Sequence, residues 1–206
     1  LRVGAVGIVS TIQTNATIIA ATALVASYAG SAAVAGYGTG ARLEYLLVPL
    51  VFGFGAPLVA LVGWNVGAGN RARALRIAWT GAGFAFVICE ALGLVAALYP
   101  EAWLRLFDAN PTMIETGALY LRWVGPFYGF FGLGLALYFA SQGAGRLLWP
   151  LAAGFVRMIV AVVVGWLVLR ATGSLALFFL TLGAALALYG LLIALAIWRG
   201  VWFRGR

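Results

Sequence analysis

Six stretches of mostly apolar residues fill this chain, each at least the ~20 residues that a helix needs to cross a hydrocarbon core of about 30 Å. Cut at turns and charges, they run over residues 3–27, 32–64, 75–99, 112–141, 150–170 and 175–198. Tyr28-Ala29-Gly30-Ser31 supplies the first turn, and an amphipathic connector from Pro100 to Pro111, carrying Glu101, Arg105 and Asp108, parts the third span from the fourth. Of all residues 65% are hydrophobic and 9% charged, with a mean hydropathy of +1.06. A water-soluble domain carries about a quarter charged residues. The expected fold class is therefore all-α: a polytopic membrane protein whose residues 1–206 form a single transmembrane lobe.

Charge gives the direction of the spans. All thirteen basic residues are arginine and the net charge is +8. The arginines are dispersed between apolar stretches rather than gathered on one face, which argues against nucleic acid as a partner. Short cytoplasmic loops collect basic residues. Arg2, Arg71, Arg73, Arg76, Arg146, Arg199, Arg204 and Arg206 fall on the side of the chain termini, against Arg105 and Arg170 opposite. Both termini are accordingly expected in the cytoplasm, with the chain in the inner membrane of a bacterial or archaeal cell. Cys89 is the one cysteine and histidine is absent, so intrachain disulfides are excluded and the commonest base and metal ligand is missing. Neither an enzyme, a bound metal nor a cofactor is expected.

Ionisable residues inside a bilayer are costly and face a cavity or a partner. Glu90 lies nine residues from the end of the third span, about 14 Å deep at 1.5 Å per residue, and Arg122 lies at a similar depth in the fourth. Glu90 is then a protonatable switch balanced by Arg122, part of a static pair, or a carboxyl kept neutral by burial. Arg42 and Glu44 are two residues apart and point to different sides of a helix. They either line the mouth of a cavity or tie the second span to the fourth through Arg122 or Glu115. Arg157, near the start of the fifth span, is expected to snorkel toward the interface. Gln13 and Asn15 give the first span a polar patch that either lines a cavity or joins helices. Tyr37, Tyr128 and Tyr138 offer ring faces for a lipophilic cation. Pro49, Pro57 and Pro126 each remove a backbone hydrogen bond inside a span and are candidates for helix bending.

One stretch is more specific than these. Arg42-Leu43-Glu44 is followed by a long uncharged run with Pro49 and Pro57, then by Gly63-Trp64-Asn65-Val66-Gly67-Ala68-Gly69 and the cluster Arg71, Arg73 and Arg76. This order, with the loop Gln142-Gly143-Ala144-Gly145-Arg146 ahead of Pro150 and the Leu106-Phe107 connector, resembles the second half of the multidrug and toxic compound extrusion (MATE) family. The resemblance spans nearly the whole chain. It implies a two-lobed, twelve-helix transporter of which this chain is the second six-helix lobe, with the first lobe missing, or a homodimer if the protein is naturally half-length. The start at Leu1 points toward the former. It also implies export of cationic or amphipathic compounds in exchange for H+ or Na+. Two features depart from the pattern: Trp64 stands where relatives usually carry glutamine, and the first and fourth spans lack mid-membrane acids. These departures weigh against coupling through this lobe, where Glu90, Arg122, Arg42 and Glu44 are the candidates, and put coupling, if it exists, in the missing first lobe.

Two other functions compete. A lipid-linked oligosaccharide flippase of the same superfamily would hold pyrophosphate with several cavity arginines, and only Arg42 and Arg122 are available for that. A membrane scaffold subunit would use the same helices without moving a substrate.

Overall fold

The computed structural model describes residues 2–203, with side chains described from Gly7 onward. The fold is all-α, and among the described residues there is no strand. The first helix, α1 (Arg2–Gly67), carries one non-helical residue, Gly30, at φ 78° and ψ −176°. That conformation is almost exclusive to glycine. The apolar part of α1, 61 residues long, would measure about 90 Å as a straight helix, far beyond one bilayer. The break at Gly30 divides it into two arms, residues 2–29 and 31–67.

Helix α2 (Arg71–Leu98) follows a turn in which Gly69 takes a positive φ of 74° and the Asn70 side chain accepts from the Arg73 N–H. The short α3 (Pro100–Leu104) lies across the end of the bundle and is tied down where the Trp103 indole N–H donates to the Thr39 carbonyl at 2.9 Å. Next come α4 (Pro111–Val124), a 3-10 turn (Gly125–Phe127) and α5 (Tyr128–Gly143), together one long apolar run. Helix α6 (Leu148–Ile159) passes through a π-helical turn (Val160–Val164) into α7 (Gly165–Thr172), and α8 (Leu175–Trp198) completes the bundle.

Five of these helical runs are long and apolar enough to cross a membrane, α1 counting as one. The α4–α5 run is the central one, because fully buried Leu121, Tyr128, Leu137 and Ala140 are spaced along it. The bundle has two ends. At the termini end, the Trp202 indole N–H donates to the Ser141 hydroxyl and Arg71 lies over the Phe203 ring. At the connector end lie Gly30, α3 and the left-handed Gly173.

Of the three prolines singled out for bending, only Pro126 coincides with a change of helix type. Pro49 and Pro57 sit on exposed positions of α1, whose backbone stays helical around both. A missing N–H costs least where no neighbouring helix depends on the geometry.

Candidate functional site

Glu44 lies in the first half of the second arm of α1, near Arg42, whose guanidinium lies over Phe107 instead. Its carboxylate is held from two other helices. Oε1 accepts from the Arg157 guanidinium of α6 at 2.9 Å, and Oε2 accepts from the Tyr120 hydroxyl of α4 at 3.0 Å. The two charged side chains are 16% and 19% exposed, so the pair is largely withdrawn from its surroundings and depends on these bonds. The Arg157 guanidinium also lies 5.5 Å from the Phe131 ring centre and 5.8 Å from that of Tyr189, within reach of cation–π attraction. Beside the carboxylate, Tyr37 and Tyr120 meet edge to face at 5.3 Å, and Phe179 stacks on Tyr37 at 6.0 Å. These rings fix the rotamer of Tyr120 and hence the direction of its hydroxyl.

A cavity of about 80 Å³ opens onto this cluster and is lined by Thr14, Thr17, Tyr37, Glu44, Tyr120 and Arg157 among others. A smaller one of about 30 Å³ lies on the other side of Arg157 and takes in Ser10, Gln13, Thr14 and Tyr189. Gln13 is buried and its Nε2 has no hydrogen-bond partner among the described residues. An unpaired buried amide N–H is costly, and it directs a donor toward the smaller cavity. The site thus offers a carboxylate, a guanidinium, an amide donor and aromatic faces around two small cavities within the lobe.

Several expectations for individual residues are corrected here. Glu90 does not pair with Arg122. It is half-buried, and its Oε2 accepts from the Gly129 backbone N–H at 2.8 Å. The 3-10 turn at Pro126 leaves the first N–H groups of α5 without partners in their own helix, and a carboxylate from α2 satisfies one of them. Arg122 is exposed and lies in a separate cleft with Glu101, Arg105 and Glu115. Arg42 is also exposed, 5.4 Å from the Phe107 ring centre in the connector. The ties from Glu44 reach Tyr120 and Arg157 instead of Arg122 or Glu115. Arg157 does not snorkel to the interface, because its guanidinium is held inside the lobe by the Glu44 carboxylate and the rings of Phe131 and Tyr189.

The polar and aromatic candidates divide in the same way. Gln13 and Tyr37 join the site. Asn15 is exposed and donates to the Thr11 carbonyl of its own helix at 2.9 Å. Tyr128 is fully buried with its hydroxyl beside that of Tyr120, and Tyr138 packs edge to face on Phe139 at 5.8 Å. Neither lines the two cavities. Tyr120, Tyr189 and Thr17 complete the site without having been singled out from sequence. The available signal was Arg157 itself, the one charge of the fifth span before its final Arg170. The π-helical turn that begins at Val160 marks the same neighbourhood, since such turns concentrate at functional positions.

The Glu90 contact yields a prediction. Glu90→Gln keeps an acceptor for the Gly129 N–H and is expected to leave stability within about 1 kcal/mol of the parent, whereas Glu90→Ala orphans that N–H at a cost of about 1–3 kcal/mol. Thermal unfolding in detergent reads the difference. Equal losses in the two variants would mean that the carboxylate charge, rather than the hydrogen bond, is what matters.

Comparison with known proteins gives a consistent picture. The MatE family model matches residues 7–167. The chain is 28% identical over 130 residues to a probable multidrug resistance protein NorM of Thermotoga maritima, an alignment covering 63% of this chain and 28% of that protein. Its fold superposes on the MATE transporter VcmN of Vibrio cholerae in the bent form with a TM-score of 0.83 at 19% identity, covering 95% of this chain and 45% of that one. The MATE transporter ClbM in complex with Rb+ gives 0.81 at 19% identity, with the same coverage. The chain thus spans less than half the length of each.

Proposed function

The chain belongs to the MatE family of membrane transporters, and from that premise we propose that it forms one lobe of a secondary exporter. The whole protein moves cationic or amphipathic compounds out of the cell in exchange for H+ or Na+, by alternating access between this lobe and a second one. That second lobe is either another six-helix segment or a second copy of this chain. The arginine distribution supports cytoplasmic termini and an inner-membrane location.

The observation that carries this reading is the Glu44 carboxylate, shared by three helices beside a largely apolar cavity that it and Arg157 border. A carboxylate bridging α1, α4 and α6 in an apolar surround responds to any rearrangement of those helices, because a moved partner leaves a charge unpaired. That is what a transporter lobe with two conformations requires. The Rb+ held by the ClbM relative makes a monovalent cation a reasonable coupling ion to test first. Of the described arginines only Arg157 borders the two cavities, which favours cationic or amphipathic cargo over pyrophosphate.

The test is export of a fluorescent lipophilic cation from vesicles carrying the protein as its gene encodes it, under imposed proton and sodium gradients. Gradient-driven export is expected to fall at least about tenfold in Glu44→Gln, the loss of one charge-assisted bond, and to persist in Glu90→Gln. Absence of export from the parent under both gradients, with correct insertion verified, would overturn the exporter reading. Export that is unchanged in Glu44→Gln would remove that residue from it.

A further inference from the structure

Arg122 is a charge that the site within the lobe leaves unused. It is exposed on α4, about 17 Å along the helix from Pro111 at 1.5 Å per residue, and has no ion-pair partner among the described residues. It lines the deep end of a cleft of about 610 Å³ whose other walls include Pro111, Ile114, Glu115 and the connector residues Glu101 and Arg105. On α4 these positions recur at three- and four-residue steps, so they form one face of the helix. Glu101 and Arg105 neutralise each other at 2.8 Å. Glu115 and Arg122 are left as the two unpaired charges of the face, Glu115 nearer the connector and Arg122 deeper.

Depth decides what meets them. The α4–α5 run is 33 residues long, which is about 50 Å, some 20 Å more than a hydrocarbon core. The first turns of α4 therefore stand at headgroup level. Side chains on a helix lean toward its N-terminus, and that carries the Arg122 guanidinium up toward the phosphate layer. We propose that this cleft binds a zwitterionic aminophospholipid of the phosphatidylethanolamine class, its phosphate on Arg122 and its ammonium on Glu115. The order of charges supports this orientation. Along such a headgroup the ammonium follows the phosphate away from the glycerol, as Glu115 follows Arg122 toward the connector. A phosphatidylcholine headgroup has no N–H to donate to Glu115, and phosphatidylglycerol brings no cation to it.

Native mass spectrometry of the detergent-purified protein, as its gene encodes it, tests the proposal with added phosphatidylethanolamine, phosphatidylcholine, phosphatidylglycerol or inorganic phosphate. Phosphatidylethanolamine is expected to be retained about tenfold better than the other lipids, and Arg122→Gln to lose about that factor, as befits one charge-assisted hydrogen bond. Arg122→Lys should keep most of the binding, and Glu115→Gln should reduce phosphatidylethanolamine to the level of phosphatidylcholine. Should Arg122→Gln fail to fold, Glu115→Gln, at an exposed position, carries the test alone. Equal retention of all three lipids, no change in the variants, or binding of inorganic phosphate as tight as that of the lipid would each overturn the proposal.

Discussion

Glu44→Ala is expected to destabilise the lobe by up to about 3 kcal/mol, the low end of the cost of removing one partner from a buried ion pair, because both side chains keep some exposure. The substitution leaves the Arg157 guanidinium enclosed by Phe131 and Tyr189 with no counter-charge, and it leaves the Tyr120 hydroxyl without its acceptor. Arg157→Ala should cost a comparable amount, since it strands the carboxylate. The double variant Glu44→Gln/Arg157→Gln should recover much of the loss, because two amides can hydrogen-bond to each other without a charge to accommodate. Unfolding midpoints in detergent, followed by tryptophan fluorescence, measure all three. A Glu44→Ala protein as stable as the parent would mean that the pair does not hold α1, α4 and α6 together.

A second large effect is expected where two backbones touch. A Cβ on Gly93 of α2 would meet the Gly125 carbonyl oxygen, and a Cβ on Gly125 would come within 2.6 Å of the Gly93 carbonyl oxygen. Neither backbone can yield easily, since Gly125 opens the 3-10 turn whose next residue, Pro126, has a fixed φ. Gly93→Ala is expected to cost about 1–3 kcal/mol through overpacking, and Gly93→Val more. Gly83→Ala is the control on the same helix: nothing lies within 4 Å of its Cβ position, so helix propensity alone should make it stabilising by up to about 1 kcal/mol. Gly93 and Glu90 lie one turn apart on α2, facing the same 3-10 turn and the start of α5. Pushing the elements apart at Gly93 should also pull Glu90 away from Gly129. The losses in Gly93→Ala and Glu90→Ala should therefore be less than additive, as for residues that share a contact. Full additivity would show that the two contacts are independent.

The sequence by itself determined the solvent of this chain, its all-α class and its family. These follow from quantities summed along the chain: span length, scarcity of charge, and a motif running from Arg42 through Gly69. Gly30 belongs with them, because only a glycine relieves the backbone where one long apolar run must turn back. Which side chains meet was decided by the tertiary structure. Glu90 and Arg122 stand at similar depth in adjacent spans, and depth can be counted from sequence, but the rotation of each helix about its own axis cannot. In a water-soluble bundle a polar face reveals that rotation. Along α1 and α2 the lipid-facing and core-facing sides are both apolar, so the pattern that would orient Glu44 and Glu90 is too weak to read. Glu44 therefore finds Arg157, 113 positions away, and Glu90 finds a backbone N–H freed by a proline turn, because packing rotates those faces toward each other.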